Sequence, residues 1–183
     1  MRKLDKTLVL VGMMGAGKTS VGRRLASGLG VPFKDADAEI ELAAGCTINE
    51  IFERFGEPAF RDGERKVIAR LLTEPPHVLA TGGGAFIDPE TRERVKQDAV
   101  SIWLRARLDL LMERVLRKDN RPLLRNTDSR ATLERLLKER EPFYAQADII
   151  IESDEGPHEA VVRRILAALD ARSRNNRSGE ANA

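Results

Sequence analysis

The segment from Thr7 to Leu29 constrains the fold more than any other part of the chain. Thr7-Leu8-Val9-Leu10-Val11 is short, apolar and rich in β-branched residues, so it reads as a buried strand. Val21, Leu25 and Leu29 then recur at helical spacing. Between them lies Gly12-Met13-Met14-Gly15-Ala16-Gly17-Lys18-Thr19, which fits Gly-x-x-x-x-Gly-Lys-[Ser/Thr]. Strand, glycine loop and helix in that order is the context in which this motif cradles phosphate. The glycines let successive backbone N–H groups face phosphate oxygens. The helix opening at Lys18 adds N–H donors and the positive end of its dipole. Lys18 reaches the β- and γ-phosphates, and the Thr19 hydroxyl is a hard oxygen ligand for Mg²⁺. The segment implies a nucleoside triphosphate site.

The rest of the chain repeats the same alternation. Strands are expected at Val31–Lys34, Val78–Thr81, Val100–Leu104 and Ile149–Ile151, with helical spacing between them. The pattern predicts a three-layer α/β/α fold around a central parallel sheet of five strands. Residues 36–76 carry two or three helical segments and no strand, an insertion between the second and third strands. Residues 117–130 are polar and basic, and a long polar loop inside such a domain is functional or mobile as a rule. One domain over 1–171 is expected, with 172–183 disordered because its apolar periodicity is lost. The formal charge of +2 suggests neither a polyanion binder nor an acidic tail protein. The single cysteine, Cys46, excludes an internal disulfide. With no apolar run near 18 residues and no signal-like start, the expected location is cytoplasmic.

Ligands of parallel sheets bind beyond the carboxyl ends of the strands. Asp35 and Asp37 follow the second strand there, and in an extended segment both carboxylates face the same way. One suits the shell of a metal ion and the other an attacking hydroxyl. The competing explanation is a helix N-cap, and one residue can serve both purposes. Arg61 and Glu64 face one side of a helix, either as a surface ion pair or as a guanidinium fork held for a substrate carboxylate. Gly82-Gly83-Gly84 exceeds what a turn needs, which points to close approach of a ligand. No aspartate ends that strand, so Asp35 becomes the best acid near the metal. Arg117, Arg121 and Arg125 populate the polar loop, as a solvated segment or as a lid over the triphosphate. Arg140 lies near a helix end, where it also suits the dipole. His77 and His158 are isolated, with structural or surface roles expected.

Taken together, Gly12–Thr19, Phe33-Lys34-Asp35-Ala36-Asp37, Phe60-Arg61-x-x-Glu64, Gly82-Gly83-Gly84, Arg121-Pro122-Leu123-Leu124 and Arg140-x-Pro142-Phe143-Tyr144 resemble the shikimate kinase family. The likeness extends to about residue 171. It implies the P-loop kinase fold, with a helical substrate-binding insertion at about 34–63 and a mobile lid at about 114–129. It also implies transfer of the γ-phosphoryl of ATP to the 3-hydroxyl of shikimate, in chorismate and aromatic amino acid synthesis. By motif position Asp37 binds the ring hydroxyls and acts as catalytic base or orienter. Arg61 and Arg140 clamp the carboxylate, and the backbone at Gly83 contacts the ring. Gly15, Ala16, Gly17, Lys18, Thr19 and Ser20 hold the phosphates, and Thr19 and Asp35 serve Mg²⁺, the latter through water. Arg121 reaches the phosphates from the lid, Arg117 resembles the adenine-stacking arginine, and Pro157 falls near the adenine loop. The family resemblance favours a monomer. Gluconate and nucleoside monophosphate kinases share the phosphate loop, but a monophosphate acceptor would need its own arginine set where this chain offers Asp-x-Asp and Gly-Gly-Gly. A regulatory nucleotide-binding module would need no acceptor groups at all.

Overall fold

The computed structural model describes residues 4–117 and 129–180, with side chains through Arg174. Its strands are β1 (Thr7–Val11), β2 (Phe33–Asp35), β3 (Val78–Ala80), β4 (Ala99–Arg105) and β5 (Ile149–Glu152). They form one parallel sheet in the order β2-β3-β1-β4-β5. Every residue of β1 is buried. Because successive strand side chains point to opposite faces, helices must cover the middle of the sheet on both sides.

Those helices are α1 (Lys18–Leu29), α2 (Ala36–Ala44), α3 (Ile48–Leu71), α4 (Pro89–Asp98), α5 (Leu108–Leu116), α6 (Ser129–Tyr144) and α7 (His158–Glu180). α1 packs on α7 and on β3, while α4 packs on β4 and α3. The expected α/β fold with five parallel strands is the observed one. β1 sits between β3 and β4, so its carboxyl end marks the place where the chain reverses its direction of crossover. A crevice opens there in sheets of this kind.

Local chemistry sets the element boundaries. α1 ends at Gly30, whose φ of 68° lets its N–H reach the carbonyls of Ala26 and Ser27. The Val31 N–H also returns to the Ala26 carbonyl, at 3.1 Å. That bond keeps Val31 out of the sheet, and β2 starts at Phe33 rather than at Val31. Asp35 then caps α2 by accepting the Asp37 N–H at 3.1 Å. Asp37 therefore sits in the first turn of a helix and not in the extended segment expected for it. Thr47 and Glu50 close a reciprocal capping box at the start of α3. Gly56, at φ 79° and ψ 172°, breaks α3 into two halves. The insertion thus holds two helices, the second kinked.

Expected to be disordered, residues 172–180 instead continue α7. Val161, Ile165 and Leu169 bury one face of that helix, so its nucleation cost is already met upstream. Arg172 then donates to Asp148 at 2.9 Å, and the Ser173 hydroxyl to the Leu169 carbonyl at 3.0 Å. Residues 181–183 lie outside the described part. His77 is structural, as expected: it is buried, with Nδ1 2.9 Å from the Pro75 carbonyl oxygen. Among the described residues no helix is long and apolar enough to cross a membrane.

Candidate active site

The loop after β1 turns into α1 through Gly17, the N-cap residue, at φ 94°. A side chain is strained in that conformation, and the turn it allows aims the first N–H groups of α1 into the crevice. Lys18 Nζ donates to the carbonyls of Gly12 (2.7 Å) and Met13 (2.9 Å), which holds the ammonium across the loop. Thr19 Oγ1 donates to Asp35 Oδ2 at 2.8 Å. The cap of α2 and the first turn of α1 are thereby joined.

Two cavities meet here. One, of about 400 Å³, is lined by Gly15, Gly17, Lys18, Thr19 and Ser20, with Asp35, Thr81, Arg114, Arg117 and His158 opposite. The other, of about 410 Å³, lies between α2, α3 and α6 and is lined by Phe52, Phe60, Arg61, Glu64, Gly84 and Arg140 among others. Met14, Asp37, Gly82 and Gly83 belong to both walls. Among the described residues, Asp37 is the one acidic residue at that shared boundary.

The glycine triplet lines the second cavity and is also crowded by side chains. A Cβ at Gly84 would fall 2.5 Å from Arg61 Nη1. At Gly83 it would meet Arg140 Nη1 at 3.1 Å, and at Gly82 Glu64 Oε1 at 3.0 Å and Asp37 Oδ1 at 3.1 Å. Four charged groups crowd against bare backbone, and alanine at any of the three positions would push on one of them.

Electrostatics fix the arginine. Arg61 Nη1 donates to Glu64 Oε2 at 2.7 Å, and its Nε and Nη2 reach Glu57 Oε1 at 3.3 Å. Burial works against the Arg61 charge, but Glu64 and Glu57 outweigh it and hold the guanidinium pKa above its ordinary value. Glu64 is pushed up, first by burial, with Arg61 opposing and Asp37 and Asp88 adding to the rise. The ion pair expected from the spacing is present, and Glu64 is almost wholly buried. Arg140 comes from α6, one turn before its end, and lines the same cavity.

Sequence reasoning missed Arg114 and gave His158 no part in the site. Arg114 Nη1 donates to the carbonyls of Gly15 and Ala16, both at 3.3 Å, and to Ser153 Oγ at 3.1 Å. Its Nη2 donates to the Asp154 carbonyl at 2.8 Å, so one guanidinium ties the phosphate loop to the loop before α7. Nothing marked it among the arginines of 105–130, because its partners are carbonyls far away in the chain. His158 lines the first cavity, with Cε1 near Gly17, and its buried Nδ1 has no hydrogen-bond partner among the described residues. Burial first, then Arg24 and Arg114, lower its pKa, which keeps the ring neutral near pH 7. Arg117 reaches the cavity rim, 73% exposed and paired with Glu113. Pro157 is exposed, and its neighbour His158 takes the place in the wall. Ala16 is buried behind the loop and contributes its carbonyl to Ser153 and Arg114. Arg121 and most of the expected lid lie outside the described residues.

A phosphate loop at the switch point of a parallel sheet, opening onto a second chamber lined by carboxyl and guanidinium groups, defines a P-loop kinase of small acceptors. The chain belongs to the shikimate kinase family, whose model matches residues 14–170. A shikimate kinase of Caulobacter vibrioides is 60% identical over 164 residues, covering 90% of this chain and 82% of that one. The solved shikimate kinase of Acinetobacter baumannii in complex with shikimate superposes with a TM-score of 0.88 at 41% identity, covering 91% and 94% of the two chains. A gluconokinase from Sinorhizobium meliloti, at TM-score 0.64 and 20% identity over 97% and 99%, shares the fold alone.

Proposed function

We propose that the chain transfers the γ-phosphoryl of ATP to the 3-hydroxyl of shikimate, giving shikimate 3-phosphate and ADP. The observation that carries this reading is the shared wall between the two cavities, with Asp37 in it. The triphosphate lies along the loop and the N-terminus of α1, with Lys18 on the β- and γ-phosphates. The acid-bearing ring lies in the second cavity, its carboxylate between Arg61 and Arg140. Asp37 orients the acceptor hydroxyl and takes its proton as the new P–O bond forms and the bond to ADP breaks. Little covalent help is needed, so positioning and charge neutralisation carry the rate.

Thr19 and Asp35 fit a Mg²⁺ ion. With its proton held by Asp35, the Thr19 hydroxyl keeps its lone pairs for the metal, and Asp35 is placed to accept from a metal-bound water. Bound there, Mg²⁺ supplies charge neutralisation at the phosphates.

An ADP-release assay with shikimate, gluconate and nucleoside monophosphates as acceptors tests the proposal. Turnover restricted to shikimate is expected, and preference for either rival would overturn it. Arg61→Lys separates the carboxylate clamp from the nucleotide site. An ammonium cannot serve Glu64 and a carboxylate as a planar fork does. The KM for shikimate is expected to rise about tenfold or more while that for ATP holds; equal loss for both substrates would mean a folding defect.

A further inference from the structure

Ser153 lines neither cavity, yet it bonds to the phosphate loop. It follows β5 directly and is almost wholly buried. Its N–H donates to the Arg105 carbonyl at 2.7 Å, which fixes its backbone to the last residue of β4. Its hydroxyl donates to the Ala16 carbonyl at 2.8 Å and accepts from Arg114 Nη1 at 3.1 Å. Arg114 Nη1 also reaches the Gly15 and Ala16 carbonyls, both at 3.3 Å, but it has two protons for these three acceptors. The short bond on Ala16 is the one from Ser153.

Ala16 and Gly17 share the peptide that leads from the loop into α1. A flip of that peptide changes ψ of Ala16 and φ of Gly17 together. Gly17 holds φ at 94°, and glycine adopts either sign of φ about as readily, so its own conformation does little to prevent the flip. A trans peptide is planar, with C=O and N–H on opposite edges, and flipping it exchanges a donor for an acceptor. A cradle that holds an anion through backbone N–H groups weakens when a carbonyl replaces one of them.

We propose that Ser153 is a positioning residue for ATP, its hydroxyl holding the Ala16 carbonyl and so locking the Ala16–Gly17 peptide against a flip. The phosphate loop is thereby held in shape from the end of the sheet, by a side chain that stands outside the nucleotide cavity. The inference rests on the nucleotide-site reading above and adds to it what keeps the loop in one conformation.

Ser153→Ala removes one oxygen and leaves the backbone bond to Arg105 in place. The KM for ATP is expected to rise about threefold to tenfold, the loss of one buried hydrogen bond, while the KM for shikimate and kcat at saturation stay within about twofold. The melting temperature is expected to fall by only about 2–6 °C. Nitrogen-15 relaxation dispersion at the Gly17 amide reads the flip itself. Exchange on the microsecond-to-millisecond scale is expected in the ligand-free variant, is absent from the ligand-free parent, and is quenched by saturating ADP. An unchanged KM for ATP would overturn the proposal. So would a Gly17 amide as rigid in the variant as in the parent, or a parallel rise in both KM values with a large loss of melting temperature. Binding of ADP to the parent chain is measured first by calorimetry. Its failure overturns the nucleotide-site reading and this proposal together, whereas failure of the Ser153→Ala expectations alone leaves the nucleotide-site reading intact.

Discussion

Asp37→Asn is expected to lower kcat for shikimate phosphorylation by about 10³-fold while the dissociation constant for ATP changes by less than about threefold. Asparagine has the shape of aspartate, but its amide takes no proton from an attacking hydroxyl and brings no charge. The cap of α2 survives, since it uses the Asp37 backbone N–H and the Asp35 side chain. Lys18 and Thr19 keep their partners in the phosphate loop and Asp35. Calorimetric titration of ATP beside a steady-state ADP assay separates binding from chemistry. Retained turnover would remove Asp37 from its place at the reacting hydroxyl, and joint loss of ATP binding would point to damage beyond that one carboxylate.

Gly12→Ala should produce the largest loss of stability of any single methyl group added near the site. Gly12 holds φ at 135°, a conformation that side chains avoid. Its Cβ would fall 2.7 Å from the Leu104 carbonyl oxygen and 3.3 Å from Trp103 Cδ1. Both residues belong to β4, which pairs with β1 through Val11 and Trp103, so relief means prising apart the centre of the sheet. Backbone strain and overpacking together cost about 3–5 kcal/mol. For a domain of this size that is a fall in melting temperature of roughly 10 °C, readable by circular dichroism or calorimetry. The Gly12 carbonyl also holds Lys18, so ATP should rescue less melting temperature than in the parent chain. A variant melting within about 2 °C of the parent would show that β4 yields more easily than this packing implies.

How far the sequence foretold these features depended on the distance between cause and effect. β1 and the phosphate loop were legible because a buried apolar run, a glycine motif and a helical period follow one another directly. β2 was misplaced by two residues because a turn bond from Val31 back to Ala26 leaves no trace in hydropathy. Asp35 and Asp37 were found as a pair, yet the geometry bringing them to the cavity is a cap and a helical turn rather than strand alternation. The triplet at 82–84 announced crowding, but the groups that crowd it come from α2, α3 and α6. Arg114 shows the limit most plainly: its partners lie in two other loops, and no local pattern records them.

The common wall of the two chambers has a bearing on inhibition. Among the described residues, Met14, Asp37, Gly82 and Gly83 line both cavities, the one proposed for the acid and the one proposed for the polyphosphate. A compound tethering a carboxylated ring to a nucleotide through a bridge about as long as the migrating phosphoryl would occupy both at once. The second half would dock at the high local concentration that its tether imposes. Its selectivity over other nucleotide-dependent enzymes would come from the ring end, since the phosphate loop is common to many of them.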